Sequence, residues 1–550
     1  MGIVARFRGP SNHQNLSTAQ RKQLLFHALK SAVEDHPALG VVVVDGDTAR
    51  PRFQQLEQID LAQVVAIKEV PRARSSSSLS DESAEARAID AILSHEHSIG
   101  FKGQELPFWR VILFQEAESG DQVSTTSTIS TATTLHFAFI WHHVIGDGKS
   151  GLAVLSTISN ALNSLPSDSI IDGSFPAPTV IKPSTNTLFP ALESILPFHM
   201  SPSTVFSHRV TPLLPAVLQP KPPAPRPGKW SGGCYQWPDS PDTTTSSPAP
   251  VKTNIKHILL PLSTVNALQR LCRKNKTSMT PLLQAVMGRV IVQTFPEAAW
   301  IRCAVALSLR RFFPQEMAID DSIMGLWVNA FHLEYTRADL LPDQGKEETE
   351  TSAPASTASH GSSNKQKSSG SSKEASSASL WTQAQANSAR IAYEVRKADT
   401  DVGIAMLKYI RDFRADLLGK RNKPRMDSYA VTNVGVYESG GGRGGAASRK
   451  GYSNSDRGYG VRSRDSSQLS IKNRPSSSSS ETSSWSLEQL LFSQSCHVNG
   501  SAVQFCILTL KDKEMCIALS WQDGVVSQED VGRLAQGVKG CLSRLAAAEE

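Results

Sequence analysis

Apolar residues recur at helical spacing near the start of the chain. Leu24, Leu25, Ala28, Leu29, Ala32 and Val33 form one stripe, which predicts an amphipathic helix. Ser17 and Gln20 fit a capping box at its start, and His36-Pro37 ends it. A short strand at 3–7 precedes this helix, and 41–44 reads as a strand entering a turn at Asp45-Gly46. Residues 107–114 make a further strand, with Trp109 in the core or a cleft wall, and the Ser/Thr-rich stretch 116–134 reads as an expanded hairpin loop. Residues 135–141 are almost continuously apolar, the mark of a strand covered on both faces. That strand delivers the chain to His142-His143, and a helix over 149–162 follows.

A second block starts near 251. Its pattern predicts a strand at 257–262 and a helix from Ser263 carrying Val265, Leu268, Leu271 and Cys272. Thr280 and Pro281 suit the N-cap and first position of the next helix, whose apolar face is Leu282, Leu283, Val286, Val290 and Ile291. Strands at 301–307 and 325–333, a helix at 381–395 and another near 487–491 come next. Strands at 504–510 and 515–521 and a final helix from Ser527 close the chain. Helices alternating with strands in two blocks argue for an α/β protein of two similar lobes, 1–165 and 251–550.

Between them, 166–250 is rich in Pro and Ser and reads as an extended crossover linker. Its apolar run 188–200, broken by Pro190 and Pro197, fits a lobe surface better than a membrane interface, which leaves weak peripheral membrane association as the second reading. Two low-complexity insertions, 345–379 and 440–484, carry too little apolar surface to offset the entropy of ordering and should be disordered.

Those tracts explain the modest 39% hydrophobic content. Lys and Arg outnumber Asp and Glu by only six, without a basic face, so nucleic acid is not an expected partner. No apolar run approaches the ~20 residues a membrane span requires. Seven scattered cysteines without a CxxC pair suit reduced thiols, hence a cytoplasmic protein, in the second reading peripheral to an internal membrane.

Sharp chemical content is confined to His142-His143-Val144-Ile145-Gly146-Asp147-Gly148. A histidine at a strand end is the side chain best matched to taking a proton near neutral pH. An aspartate four residues on, across a Gly-bounded turn, can fold back to hold the loop. With 14 His and 35 Gly in 550 residues, this pattern arises by chance about once per thousand such chains. Adjacent histidines on a strand would point to opposite faces, and no third ligand lies nearby, so no metal is expected.

The segment resembles the HHxxxDG motif of the chloramphenicol acetyltransferase-like superfamily, which includes peptide-synthetase condensation domains. Further stretches resemble the fungal alcohol acetyltransferase family: His36-Pro37-Ala38-Leu39, Pro107-Phe108-Trp109-Arg110, Leu307-Ser308-Leu309-Arg310-Arg311-Phe312, Val431-Thr432-Asn433-Val434-Gly435-Val436 and Ser520-Trp521-Gln522-Asp523-Gly524. The likeness covers both lobes. The chain begins almost on its first strand, so an N-terminal segment of such relatives is expected to be missing, and Thr432 stands where serine is usual.

The resemblance implies two lobes, each a mixed sheet with helices, meeting at an active-site tunnel. It implies an O-acetyltransferase that forms esters from acetyl-CoA as co-substrate and a small alcohol, with no bound cofactor, working as a monomer. His143 would be the general base, and His142 would point away from the cleft and pack structurally. Asp147 would orient the loop by pairing with an arginine, Arg310 ahead of Arg311, and Gly148 would permit the close turn. Thr432 and Asn433 are candidates for the oxyanion site, and Lys423 and Arg425 for contact with the coenzyme phosphates. Two alternatives stay open: N-acetylation of a long-chain or natural-product amine, and a non-catalytic scaffold of the same fold.

Overall fold

The computed structural model describes residues 1–10, 16–71, 83–101, 105–117, 133–166, 177–196, 198–206, 226–234, 251–341, 371–397, 400, 403–420, 423–438 and 484–549. It is a mixed α/β structure built on two sheets.

The first sheet runs in the order Ser486–Ser493, Gly2–Arg8, Thr134–Trp141, Trp109–Glu116, Val65–Val70. All its neighbours are antiparallel except the last pair. Thr134–Trp141 is buried at seven of its eight positions, so its apolar run reflects cover on both faces. Helix Thr18–Asp35 packs against helix Gly148–Ser164 over this sheet. The predicted stripe from Leu24 to Val33 is its buried face, and the Ser17–Gln20 capping box is formed.

The second sheet has the order Val328–Thr336, Trp300–Ser308, Asp427–Tyr437, Ser501–Leu510, Met515–Gln522, Thr253–Leu260. The second and third pairings in this order are parallel and the rest antiparallel. Helices Leu262–Lys274, Met279–Thr294, Ser371–Arg396 and Gln528–Ala547 share the core of one face. The opposite face meets the first sheet, because Ser486–Ser493 packs on Ser501–Leu510 and Met515–Gln522.

Several local expectations are corrected. Residues 487–491 are strand, not helix. Leu487, Leu490 and Leu491 imitate helical spacing, but Ser486–Ser493 pairs along Gly2–Arg8 and is buried at six of eight positions between the sheets. Tertiary cover overrides the local period. This strand from the 251–550 segment thereby completes the first sheet.

The helix expected from Thr280 starts at Met279, with Ser278 as N-cap. Pro281 is tolerated in its first turn, where N–H groups have no helical partner. Part of the crossover is packed rather than extended. Leu192, Leu196 and Phe198 form a third apolar cluster with Leu309, Phe313, Ile319 and Trp327. The run 188–200 therefore lies on protein. Helix Ser371–Arg396 begins inside the stretch expected to be disordered; the remainder of both insertions up to 483, the loop residues 118–132 and the Pro run 220–225 lie outside the described residues. Among the described residues, no helix is long and apolar enough to cross a membrane.

Candidate active site

Strand Thr134–Trp141 stops at the motif because the next residues turn. Trp141 Nε1 donates to the Gly146 carbonyl at 3.0 Å, and the His142 N–H donates to the Phe108 carbonyl at 2.8 Å. His143–Ile145 forms one 3-10 turn capped by His142, whose Nδ1 accepts from the Val144 N–H at 3.1 Å. The two histidines therefore leave the strand at a turn, and strand alternation does not set their directions.

Asp147 is the N-cap of helix Gly148–Ser164 and is buried. Its Oδ1 accepts from the Ser150 N–H at 3.1 Å and from Arg310 Nη2 at 3.0 Å. Its Oδ2 accepts from Arg310 Nη1 at 2.6 Å and from the Trp327 N–H at 3.1 Å. The Arg310 guanidinium is buried too and stacks over the Trp327 ring at 4.9 Å. Ser150 Oγ donates to the Gly325 carbonyl at 2.8 Å and accepts from the Gly325 N–H at 3.1 Å. One carboxylate thus joins its own helix to a loop of the second lobe. With four N–H donors on two oxygens, it has no capacity left for an acceptor's proton. Arg311, by contrast, is exposed.

Gly148 has no positive φ, so the turn itself does not require glycine. The requirement is steric. A Cβ there would stand 2.6 Å from Val434 Cγ1 and 3.1 Å from Phe492 Cζ. Gly148→Ala should therefore overpack the seam between the lobes and cost about 1–3 kcal/mol, read as a lowered melting temperature in thermal denaturation.

His142 and His143 both present accessible surface. Even so, the protein around them withdraws enough water to lower both pKa values. Burial is the main cause in each case, and it takes His142 down to about 4. At His143 the backbone carbonyl of its own residue opposes that shift.

The sequence reading missed His497, on the loop joining Ser486–Ser493 to Ser501–Leu510. It is likewise accessible, and its pKa is lowered to about 4, first by burial and then by the nearby positive form of His143. No local pattern marks it.

The facing strand Asp427–Tyr437 carries the remaining candidates. Thr432 is half-buried and opposite Cys506 in the register, on the face that meets the first sheet. Asn433 is engaged elsewhere: its Nδ2 donates to Thr280 Oγ1 at 3.0 Å, and its Oδ1 accepts from the Gly435 N–H at 2.9 Å. Gly435 has φ +100°, a conformation that favours glycine, at an irregularity in the strand register.

Arg425 is also committed, donating to the carbonyls of His497 and Ser501 and to Gln522 Oε1. It does not face the solvent as a phosphate contact would require; Lys423 does. Among the described residues, no group of three or more His, Cys, Asp or Glu could hold a metal ion.

A family model described as alcohol acetyltransferase matches residues 10–347 of the chain. The chain is 25% identical over 545 residues to the probable alcohol acetyltransferase crmB of Aspergillus fumigatus, covering 98% of this chain and 93% of that protein. It is 21% identical over 530 residues to the probable alcohol acetyltransferase FCK4 of Fusarium pseudograminearum, covering 94% and 85%. Among solved structures, the trichothecene 15-O-acetyltransferase TRI3 of Fusarium sporotrichioides superposes with a TM-score of 0.55 at 11% identity, covering 99% of this chain and 90% of that one. At that identity the likeness is one of fold.

Proposed function

The chain belongs to the alcohol acetyltransferase family, and from that premise we propose that it moves an acetyl group from acetyl-CoA to an alcohol hydroxyl with His143 as general base. The observation that carries this reading is the pairing of an accessible, desolvated His143 with a loop locked by Asp147 and Arg310. A base must be held still and kept neutral to accept a proton.

The alcohol oxygen attacks the thioester carbonyl while neutral His143 takes its proton. The resulting tetrahedral oxyanion needs donors aimed at it, and Thr432 on the facing strand is the candidate; Asn433 has both ends of its amide in use. Collapse breaks the carbon–sulfur bond, and the imidazolium returns the proton to the leaving thiolate. Ester and free coenzyme thiol result, and atoms balance without an acyl-enzyme. Burial raises the Cys272 and Cys506 thiols to about 11 and 12, which makes neither a ready nucleophile.

Because the His143 pKa lies below 6.5, the ring stays neutral through the neutral range and protonates only in acid. The rate constant kcat/KM should be flat near pH 7 and fall as pH drops through an apparent pKa below 6.5. A limb at or above 6.5 would separate the acid loss from a desolvated His143. The function itself is tested by thiol release from acetyl-CoA against panels of alcohols and amines. Release that requires an alcohol and matches the ester formed supports it; release indifferent to the alcohol, or driven by amines, overturns it.

A further inference from the structure

His142 is not a sealed packing residue. Its ring is exposed, and it stands next to two half-buried phenylalanines. The Phe108 ring lies 5.5 Å from it at an interplanar angle of 46°, and the Phe101 ring lies 5.9 Å away, edge-on at 79°. Phe101 and Phe108 are themselves 6.2 Å apart. Three rings thus form one continuous wall, and His142, the residue that precedes His143, is one of them.

The rings are tied to the surrounding protein. Arg110 places its guanidinium 4.5 Å over the Phe101 ring. That cation is already committed, with its Nε 2.6 Å from Glu96 Oε2 and its Nη2 3.0 Å from the Ile99 carbonyl. His142 is tied through its backbone N–H to Phe108 and through Nδ1 to the Val144 N–H. Its low pKa keeps the ring uncharged at neutral pH. Among the described residues, the accessible face is therefore aromatic, preorganised and without free charge.

We infer that Phe101, Phe108 and His142 form the acceptor-binding wall of the site, and that it selects an uncharged alcohol with a flat, ring-bearing skeleton. Aromatic faces reward a second ring beyond the area it buries. A phosphate-bearing coenzyme would seek unpaired cations, and the three rings and the described residues that hold them offer none; the wall therefore suits the acceptor. The inference rests on the acetyltransferase reading for what happens to the bound alcohol, but not for the binding itself.

The test is equilibrium binding of 2-phenylethanol and of 1-hexanol, apolar but not flat, to the full-length wild-type protein and to Phe108→Ala and Phe101→Ala. The aryl alcohol should lose about five- to tenfold in affinity in each variant, with a smaller change for 1-hexanol. Phe108→Leu keeps apolar bulk without the ring and serves if the alanine variant does not fold. Equal losses for both alcohols, or no loss for either, would overturn the inference whether or not the protein turns over. In the same samples, thiol release from acetyl-CoA reports the chemistry separately. Selective binding without release would sink the acetyltransferase reading and leave the wall standing, whereas release without aryl selectivity would do the reverse. A raised KM for acetyl-CoA in the Phe108 variants would place the coenzyme on this wall, and the inference would fail.

Discussion

His143→Ala is expected to lower kcat by about a hundred- to ten-thousandfold while leaving the melting temperature unchanged. That range is the usual share of a positioned general base. The stability half of the expectation comes from the position of the side chain. The ring is accessible, so truncation removes little packing, and the fold of its loop is secured by other groups. These are Trp141 Nε1 on the Gly146 carbonyl, the Val144 N–H on His142 and the Asp147 carboxylate. Steady-state kinetics and a thermal melt on one preparation read both halves. Full activity would remove the base; a collapsed melt would show that the ring is structural.

Asp147→Asn should have the opposite profile, losing stability first and activity as a consequence. Asn offers one acceptor oxygen and one NH2 in place of two acceptors. Whichever oxygen it replaces, its NH2 must therefore face both an Arg310 donor and a backbone N–H, that of Ser150 or that of Trp327. It also leaves a buried guanidinium with only the exposed Asp321 carboxylate, 4.0 Å from its Nε, as counter-charge, and breaking a buried pair this way typically costs about 3–5 kcal/mol. Chemical denaturation should register that loss. In the double variant with Arg310→Gln, the orphaned cation is gone, so the combined loss should be smaller than the sum of the two single losses. Strict additivity would mean the pair does not act as a unit. A fully stable but inactive Asp147→Asn protein would give the carboxylate a chemical role that its four N–H donors argue against.

Features whose causes are local were legible in the sequence. The Ser17–Gln20 capping box and the Ser527 cap arise from residues three apart, and each marks its helix start. The apolar strand ending at Trp141 announced its burial through composition alone. Features whose causes lie on another element were not legible. Ser486–Ser493 has the spacing of a helix and becomes a strand because the edge of Gly2–Arg8 is available to it. Gly148 is visible as a glycine, but the reason for it is Val434 on the other sheet. Thr280 has the form of a helix cap and is instead bonded to Asn433. His497 comes near enough to His143 to feel its charge from a loop more than three hundred residues downstream, without any motif around it. The aromatic wall joins Phe101 to Phe108 and His142, a set that no sequence period assembles.

Direct transfer from thioester to alcohol, without an acyl-enzyme, is read by a rapid-quench single turnover. Enzyme in excess is mixed with acetyl-labelled acetyl-CoA and an alcohol, and the label is followed through coenzyme, protein and ester. With direct transfer, label passes from coenzyme to ester at one rate, with the protein unlabelled at every time point. Labelled protein that forms and decays at the rate of turnover would contradict it.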